Sequence, residues 1–249
     1  MYGKTIRLRR LFPSPERRLF SVPLDHALSM GPIDGLEELA PLAKELQAGG
    51  ADLLIVHKGA VRELAPLLAP PTLLGVHVSA STSLGSSSNH KRLVGTAEEA
   101  VSLGADLLSV QVNFGVPEEG EMLADLGVAA DQCRQLGLPL MCMSYVKKKD
   151  GGTPDELRHA ARASADLGAD IVKTSYPGSV EEFRALCRTT PVPVLIGGGV
   201  RMDDDAAFLR VVQDSVRAGG AGICIGRNLF QRRPVLPLAR QIAQLLHGG

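Results

Sequence analysis

Apolar residues along this chain gather in short runs that return at a wide spacing. AGGADLLIVHKG (48–59), SLGADLLSVQVN (102–113), DLGADIVKTSYP (166–177) and AGGAGICIGRN (218–228) share one form. Each has the end of an amphipathic segment, a glycine, an alanine and a short aliphatic run. Glycine there accepts the left-handed backbone that stops a helix, and such a run suits a strand buried on both faces. The copies start 54, 64 and 52 residues apart, too far for one strand–helix unit of roughly 30 residues and right for two. Intervening strands are therefore predicted, and LFSVPLD (19–25), TLLGVHVS (72–79), LPLMCMS (138–144) and PVPVLIGG (191–198) supply them. The segments 35–49, 96–104, 153–168 and 179–189 read as amphipathic helices. Thr153-Pro154 is a start signal, because Thr caps and Pro tolerates the first turn. Alternating strands and helices require a parallel sheet, and eight units close most simply into a single (β/α)8 barrel over residues 1–249. An open doubly wound sheet is the competing arrangement. The Ser-rich stretch 79–90 reads as a mobile loop after the third strand, not as a domain boundary.

Strand parity then predicts what points inward, since side chains alternate between the two faces of a strand. In the fourth strand Ser109, Gln111 and Asn113 share one face, and the helices need the other, Leu108, Val110 and Val112. By the same rule Asp25 ends the inward row Ser21, Pro23, Asp25. Lys173 follows Ala169 and Ile171, and Tyr145 follows Met141 and Met143. Catalytic groups of such barrels come from the C-terminal strand ends, so Asp25, Tyr145 and Lys173 converge there. Burial lowers a lysine's pKa, and a neutral amine attacks carbonyl carbon to form a carbinolamine and then a Schiff base. Tyr145 would shuttle protons, and Asp25 would act as a second acid/base or hold the imine. The alternative is that Lys173 merely neutralises Asp25 as a buried ion pair. IGGGVR (196–201) and IGRN (225–228) end the seventh and eighth strands, the usual place of a barrel phosphate site. Gly197, Gly198, Gly199, Gly226 and Arg227 are its predicted lining. His26, His57 and Ser175 join Gln111 and Asn113 as expected substrate contacts, and His77 is either a pocket or a structural residue. Lys147-Lys148-Lys149 is a solvated loop or an anion-attracting one.

Composition limits what such a barrel serves. The 249 residues carry 27 Lys+Arg against 27 Asp+Glu, with 4% aromatics and no Trp. Neither a basic face nor stacking platforms for nucleic acid are implied, although a small basic pocket for a phosphorylated small molecule is compatible. No run approaches the roughly 20 apolar residues of a membrane span, and MYGKTIRLRRLF lacks the apolar core of a signal peptide. The four cysteines form no CxxC pair and read as buried reduced thiols of a cytoplasmic protein. The histidines lack metal-ligand spacing, so neither a metal nor a cofactor is expected.

VPLDHALSMGPIDGL (22–36), DLLIVHKG (52–59), LLSVQVNFG (107–115), DIVKTSYPGS (170–179), VLIGGGV (194–200) and GICIGRNLFQ (222–231) together resemble the archaeal-type class I aldolase family over nearly the whole chain. That family includes fructose-bisphosphate aldolases and amino-dideoxy-heptulosonate synthases. The resemblance implies that Lys173 is the Schiff-base lysine, that Asp25 and Tyr145 are the acid/base pair, and that the Gly198 and Arg227 regions hold phosphate. It also implies a homo-oligomer. Met143 stands where the fructose-bisphosphate branch carries Trp, which favours the heptulosonate branch. Gln111 stands where that branch has His, and Val146 and the lysine run replace its Pro-Arg-Gly. The implied activity joins a ketose phosphate, dihydroxyacetone phosphate or a relative, to an aldehyde such as L-aspartate semialdehyde. The product is a seven-carbon amino acid of aromatic or aminohydroxybenzoate biosynthesis. A fructose-bisphosphate aldolase and a non-catalytic phospho-ligand barrel are the alternatives.

Overall fold

A computed structural model describes residues 2–248. Eight parallel strands, β1 (Leu19–Pro23), β2 (Leu53–His57), β3 (Leu73–His77), β4 (Leu107–Phe114), β5 (Leu140–Val146), β6 (Ile171–Ser175), β7 (Val194–Gly197) and β8 (Gly222–Cys224), form the wall. Each pairs with the next, and β8 pairs with β1, so the sheet closes and the open-sheet alternative falls. Helices α1 (Tyr2–Leu11), α2 (His26–Met30), α3 (Leu39–Ala48), α4 (Val61–Leu64), α5 (Ala97–Ser102) and α6 (Glu119–Leu136) occupy the first half of the chain. Helices α7 (Pro154–Asp166), α8 (Val180–Thr189), α9 (Asp205–Arg217), α10 (Arg227–Phe230) and α11 (Leu236–His247) follow. None of the described helices is long and apolar enough to cross a membrane.

Local chemistry explains most boundaries. Thr153 Oγ1 accepts from Glu156 N at 3.3 Å while the Glu156 carboxylate accepts from Thr153 N at 2.8 Å, a reciprocal cap that starts α7 at Pro154. The helix expected over 35–49 begins only at Leu39, because Gly35 adopts φ +89° and packs against the Phe230 carbonyl. The Ser-rich stretch differs from a plain loop. Ser79–Ala80 pairs antiparallel with Arg92–Leu93, and the intervening turn is pinned by a bond from Ser81 Oγ to Ser88 O at 2.6 Å.

Strand parity divides the apolar residues into two cores. Outward residues such as Leu54, Val56, Leu108, Val110 and Val172 pack under the helices. Inward residues Leu19, Leu53, Ile55, Leu107, Met141, Met143, Ile171, Leu195 and Cys224 fill the barrel, and Leu8, Leu11 and Phe12 close it from below. Helix α1 is thus a plug at the N-terminal end, leaving the opposite end for a cavity.

The plug also explains the aspartate of the sequence repeat. Asp52, Asp106 and Asp170 accept backbone N–H bonds from Phe20, Leu74 and Leu140 on neighbouring strands at 2.8, 3.2 and 2.9 Å. The same carboxylates pair with Arg17, Arg10 and Lys4 in and just after α1, at 2.6, 3.5 and 2.9 Å. Three copies of one motif therefore tie the plug to the barrel. The fourth copy has Gly222 at that place. With φ +145° and a Cβ that would stand 2.2 Å from Leu19 O, no side chain fits.

Candidate active site

A cavity of about 550 Å³ opens at the C-terminal strand ends. Of the predicted residues, Asp25, His26, His57, Gln111, Tyr145, Lys173, Ser175, Gly198, Gly199, Gly226 and Arg227 line it, together with His77. Two do not. Asn113 is fully buried and donates to Asn89 O at 2.6 Å while accepting from Gln111 Nε2 at 2.8 Å, so it props the wall from behind. Gly197 lies beneath the cradle assigned to it. A Cβ there would meet Tyr145 Oη at 3.2 Å and Lys173 Cε at 3.3 Å, so its missing side chain is the space in which those two groups converge.

Lys173 is 4% exposed. Its ammonium has Met143 Sδ at 3.8 Å and lies 5.7 Å from the centre of the Tyr145 ring. Burial opposes its charge, whereas the Asp25 carboxylate and, once they lose their own protons, the Cys224 thiol and the Tyr145 phenol favour it, and together they lift its pKa above the ordinary lysine value. This corrects the expectation from burial alone. Burial also pushes up the Tyr145 phenol and the Cys224 thiol, so both keep their protons at neutral pH. Asp25 is then the one negative charge facing Lys173.

Asp25 acts on Lys173 through space and makes no direct ion pair with it. Its oxygens face two imidazoles, His26 Nδ1 at 3.3 Å and His77 Nδ1 at 3.9 Å. The His26 contact is too poorly aligned to count as a hydrogen bond. Burial works against the carboxylate, yet His26, His77 and Lys173 outweigh it and hold Asp25 far below the usual carboxylate range.

His77 Nδ1 and Ser109 Oγ are hydrogen-bonded at 2.8 Å. His57 Nδ1 lies 3.0 Å from His77 O, and a carbonyl only accepts, so His57 carries a proton on Nδ1. Burial pushes His77 down to about 3 against the pull of Asp25. An unfolded chain protonates this imidazole below about pH 6.5, whereas the folded one refuses the proton. Stability therefore falls as pH falls through that window, by about 1.4 kcal/mol per unit at most. Urea unfolding between pH 6 and 4.5 is expected to show a shallower pH slope in His77→Gln than in the parent. An unchanged slope contradicts a neutral buried imidazole.

Opposite these groups stand the two glycine elements. Gly198 abuts Ile225 Cγ2, and Gly226 abuts His26 Cε1 and Pro23 O, at 2.8, 2.6 and 3.0 Å from where a Cβ would lie. Asn228, fully buried, donates to Gly198 O at 2.7 Å and Val200 O at 3.0 Å and accepts from Met202 N at 2.7 Å. It shapes the loop after β7 from the end of β8. Arg227 donates to Gly199 O at 2.8 Å, and a guanidinium has five N–H donors, so most of its fork is left for an anion. Asn228 belongs to the IGRN motif, but an asparagine beside an arginine carries no sequence signal of this role, which depends on the loop after β7.

The charge around the cavity is one-sided. Lys91, Lys147, Lys148, Lys173 and Arg227 line it against Asp25 as its single acid. Lys148 is tied to Glu156 at 2.6 Å. A chain with no net charge thus concentrates cations at one end of the barrel, a field that attracts anions. Lys91, on the ribbon after β3, was not foreseen, because it directly follows the Ser-rich stretch and nothing periodic there signals which residue turns inward. Among the described residues no group of three or more His, Cys, Asp or Glu is placed to hold a metal ion.

Comparison with known proteins first gives the class, the aldolases built on this barrel. The DeoC/LacD family aldolase model matches residues 19–232, and the chain belongs to that family. Over its full length it is 39% identical to the 2-amino-4,5-dihydroxy-6-oxo-7-(phosphonooxy)heptanoate synthase of Streptomyces griseus, covering 92% of that protein. It is 36% identical, again over its full length, to 2-amino-3,7-dideoxy-D-threo-hept-6-ulosonate synthase 1 of Archaeoglobus fulgidus, covering 93% of it. A crystal structure of an archaeal fructose 1,6-bisphosphate aldolase superposes with a TM-score of 0.88 at 28% identity, over 99% of this chain and 100% of that one. A structure of an archaeal fructose-1,6-bisphosphate aldolase with its catalytic Lys covalently bound to the carbinolamine intermediate gives 0.87 at 27%, over 98% and 100%. The protein is a class I aldolase, working through a lysine Schiff base, and the non-catalytic alternative falls.

Proposed function

We propose that Lys173 is the Schiff-base lysine and that the protein joins dihydroxyacetone phosphate to L-aspartate semialdehyde. One observation carries the assignment of the lysine. Lys173 is buried at the middle of β6 and lines the same cavity as the glycine–arginine cradle. A ketone whose phosphate rests on Gly198, Gly199, Gly226 and Arg227 presents its carbonyl to that amine.

The steps follow from the protonation states. Lys173 rests as an ammonium, and the Tyr145 hydroxyl beside it is the path by which its proton leaves. The free amine attacks the ketone carbon, and the carbonyl oxygen takes a proton through the same hydroxyl, giving a carbinolamine. Loss of water leaves a protonated imine, which acts as an electron sink. Removal of a proton from the hydroxymethyl carbon gives the enamine. That carbon then bonds to the aldehyde carbon, whose oxygen takes up a proton. Water returns to cleave the imine and free the amine, so the water lost earlier is restored. Asp25, held ionised, supplies negative charge to the cationic imine, and proton traffic falls to Tyr145. His26, His57, Gln111 and Ser175 would contact substrate from the walls.

Three carbons from the donor and four from the acceptor give a seven-carbon 2-amino acid with a ketone beside a phosphorylated terminal carbon. That is the compound in the name of the Streptomyces griseus relative, and Met143 in place of a tryptophan supports the same branch. We place the reaction in the cytoplasm, in a homo-oligomer, as an early step of aromatic or aminohydroxybenzoate biosynthesis. The test is product mass after incubation of dihydroxyacetone phosphate with L-aspartate semialdehyde or glyceraldehyde 3-phosphate. The seven-carbon amino acid phosphate is expected from the first pair. Fructose 1,6-bisphosphate as the sole product contradicts the substrate assignment.

A further inference from the structure

One buried cation in the cavity has no part in the proposed chemistry. Lys91 is 8% exposed and lines the cavity from the ribbon after β3. Two other elements hold it. Its ammonium donates to Ser29 Oγ of α2 at 3.0 Å, and its backbone N–H rests on Met122 Sδ of α6 at 3.4 Å. Among the described residues no carboxylate pairs with it, and the one acid of the cavity, Asp25, has its oxygens toward His26 and His77. A buried ammonium with a single neutral partner is costly unless a ligand brings the missing anion.

We propose that Lys91 and Ser29 form the subsite for a carboxylate on the acceptor aldehyde; this rests on the aldolase reading of the same cavity. The donor sets at the two ends differ in kind. At the cradle, glycine backbone and a guanidinium fork converge, as a phosphate dianion with several acceptor oxygens requires. At Lys91 there is one ammonium and one hydroxyl, with no glycine loop and no arginine, which matches the single charge and two oxygens of a carboxylate. The neutral amides of Asn89 and Gln111 also line the cavity, and suit uncharged or amino groups of the same molecule. Lys147 lies within electrostatic reach of both Arg227 and Lys91, so positive charge runs from the cradle to Lys91. A condensation product with phosphate at one end and carboxylate at the other fits that layout.

The test uses the full-length protein, Lys91→Met, Lys91→Arg and Ser29→Ala. Each is assayed with dihydroxyacetone phosphate and one of three acceptors: L-aspartate semialdehyde, glyceraldehyde 3-phosphate or uncharged glycolaldehyde. Borohydride trapping of the donor is followed in parallel. Lys91→Met should raise KM for the carboxylate acceptor by about 30-fold, the scale of a lost hydrogen bond between charged groups. Its kcat, its glycolaldehyde kinetics and its donor trapping should stay near those of the parent. Lys91→Arg should recover most of the loss, and Ser29→Ala should show a smaller rise of the same selectivity. An unchanged KM for the carboxylate acceptor in a variant that still traps donor overturns the proposal. So does an equal loss with all three acceptors, which marks a structural lysine, or a larger loss with the phosphorylated one, which marks a second phosphate site. So, too, does a trapping-competent parent that turns over no carboxylated aldehyde. Failure of the parent to trap donor counts instead against the aldolase reading itself.

Discussion

Lys173→Met is expected to lose turnover by roughly five to six powers of ten, the scale on which loss of a covalent nucleophile is felt. The fold should survive the change. Lys173 runs through the inner apolar layer beside Met143, and its ammonium contacts a thioether in place of a carboxylate. Methionine fills nearly the same volume, and volume-conserving replacements in a packed interior cost little. The circular dichroism spectrum and unfolding midpoint should therefore stay close to those of the parent while product formation vanishes. A variant that retained more than a hundredth of the parent's turnover would remove the lysine from the mechanism.

Tyr145→Phe is expected to reduce kcat by about 10²- to 10⁴-fold, the usual contribution of a placed proton-transfer group. The ring should stay where it is, since Gly197 leaves room for it and Lys173 and Lys147 lie 5.7 and 5.4 Å from its centre. The hydroxyl alone is lost. Because the cradle that holds phosphate is untouched, KM for the donor should move little. Lys173 then lacks the group through which its proton leaves, and the rate of imine formation should fall along with turnover. Rapid-mixing absorbance or time-resolved borohydride quenching measures that rate. A kcat reduced without any slowing of imine formation would assign Tyr145 to the later carbon–carbon step alone.

The barrel was legible because its period is written four times, and because each copy ends a helix with glycine before a strand. Parity then placed Lys173, Tyr145, Gln111 and Asp25 on the inner face, where the cavity is. Parity goes no further than facing inward. Asn113 faces inward too, yet the Asn89 carbonyl claims its amide, and Gly197 lies one step below the cradle. Helix α1 escaped notice because its apolar residues Leu8 and Leu11 are set among arginines, and their use as a plug depends on Asp52, Asp106 and Asp170 at strand starts far along the chain. Lys91 was missed for a related reason. Its direction is set by pairing of the ribbon strands and by a serine about sixty positions away, neither of which leaves a periodic trace. The protonation of Lys173 could not be read from burial either, since its sign depends on groups brought in from β1, β5 and β8.

The central claim is that this cavity forms an imine between Lys173 and a phosphorylated ketone. Incubation with dihydroxyacetone phosphate and sodium borohydride, followed by peptide mass mapping, tests it directly. The account predicts irreversible loss of activity that requires the donor, with one reduced donor adduct on the peptide carrying Lys173. A protein that stays fully active and unmodified after that treatment, or one modified only at Lys91 or Lys147, would contradict it.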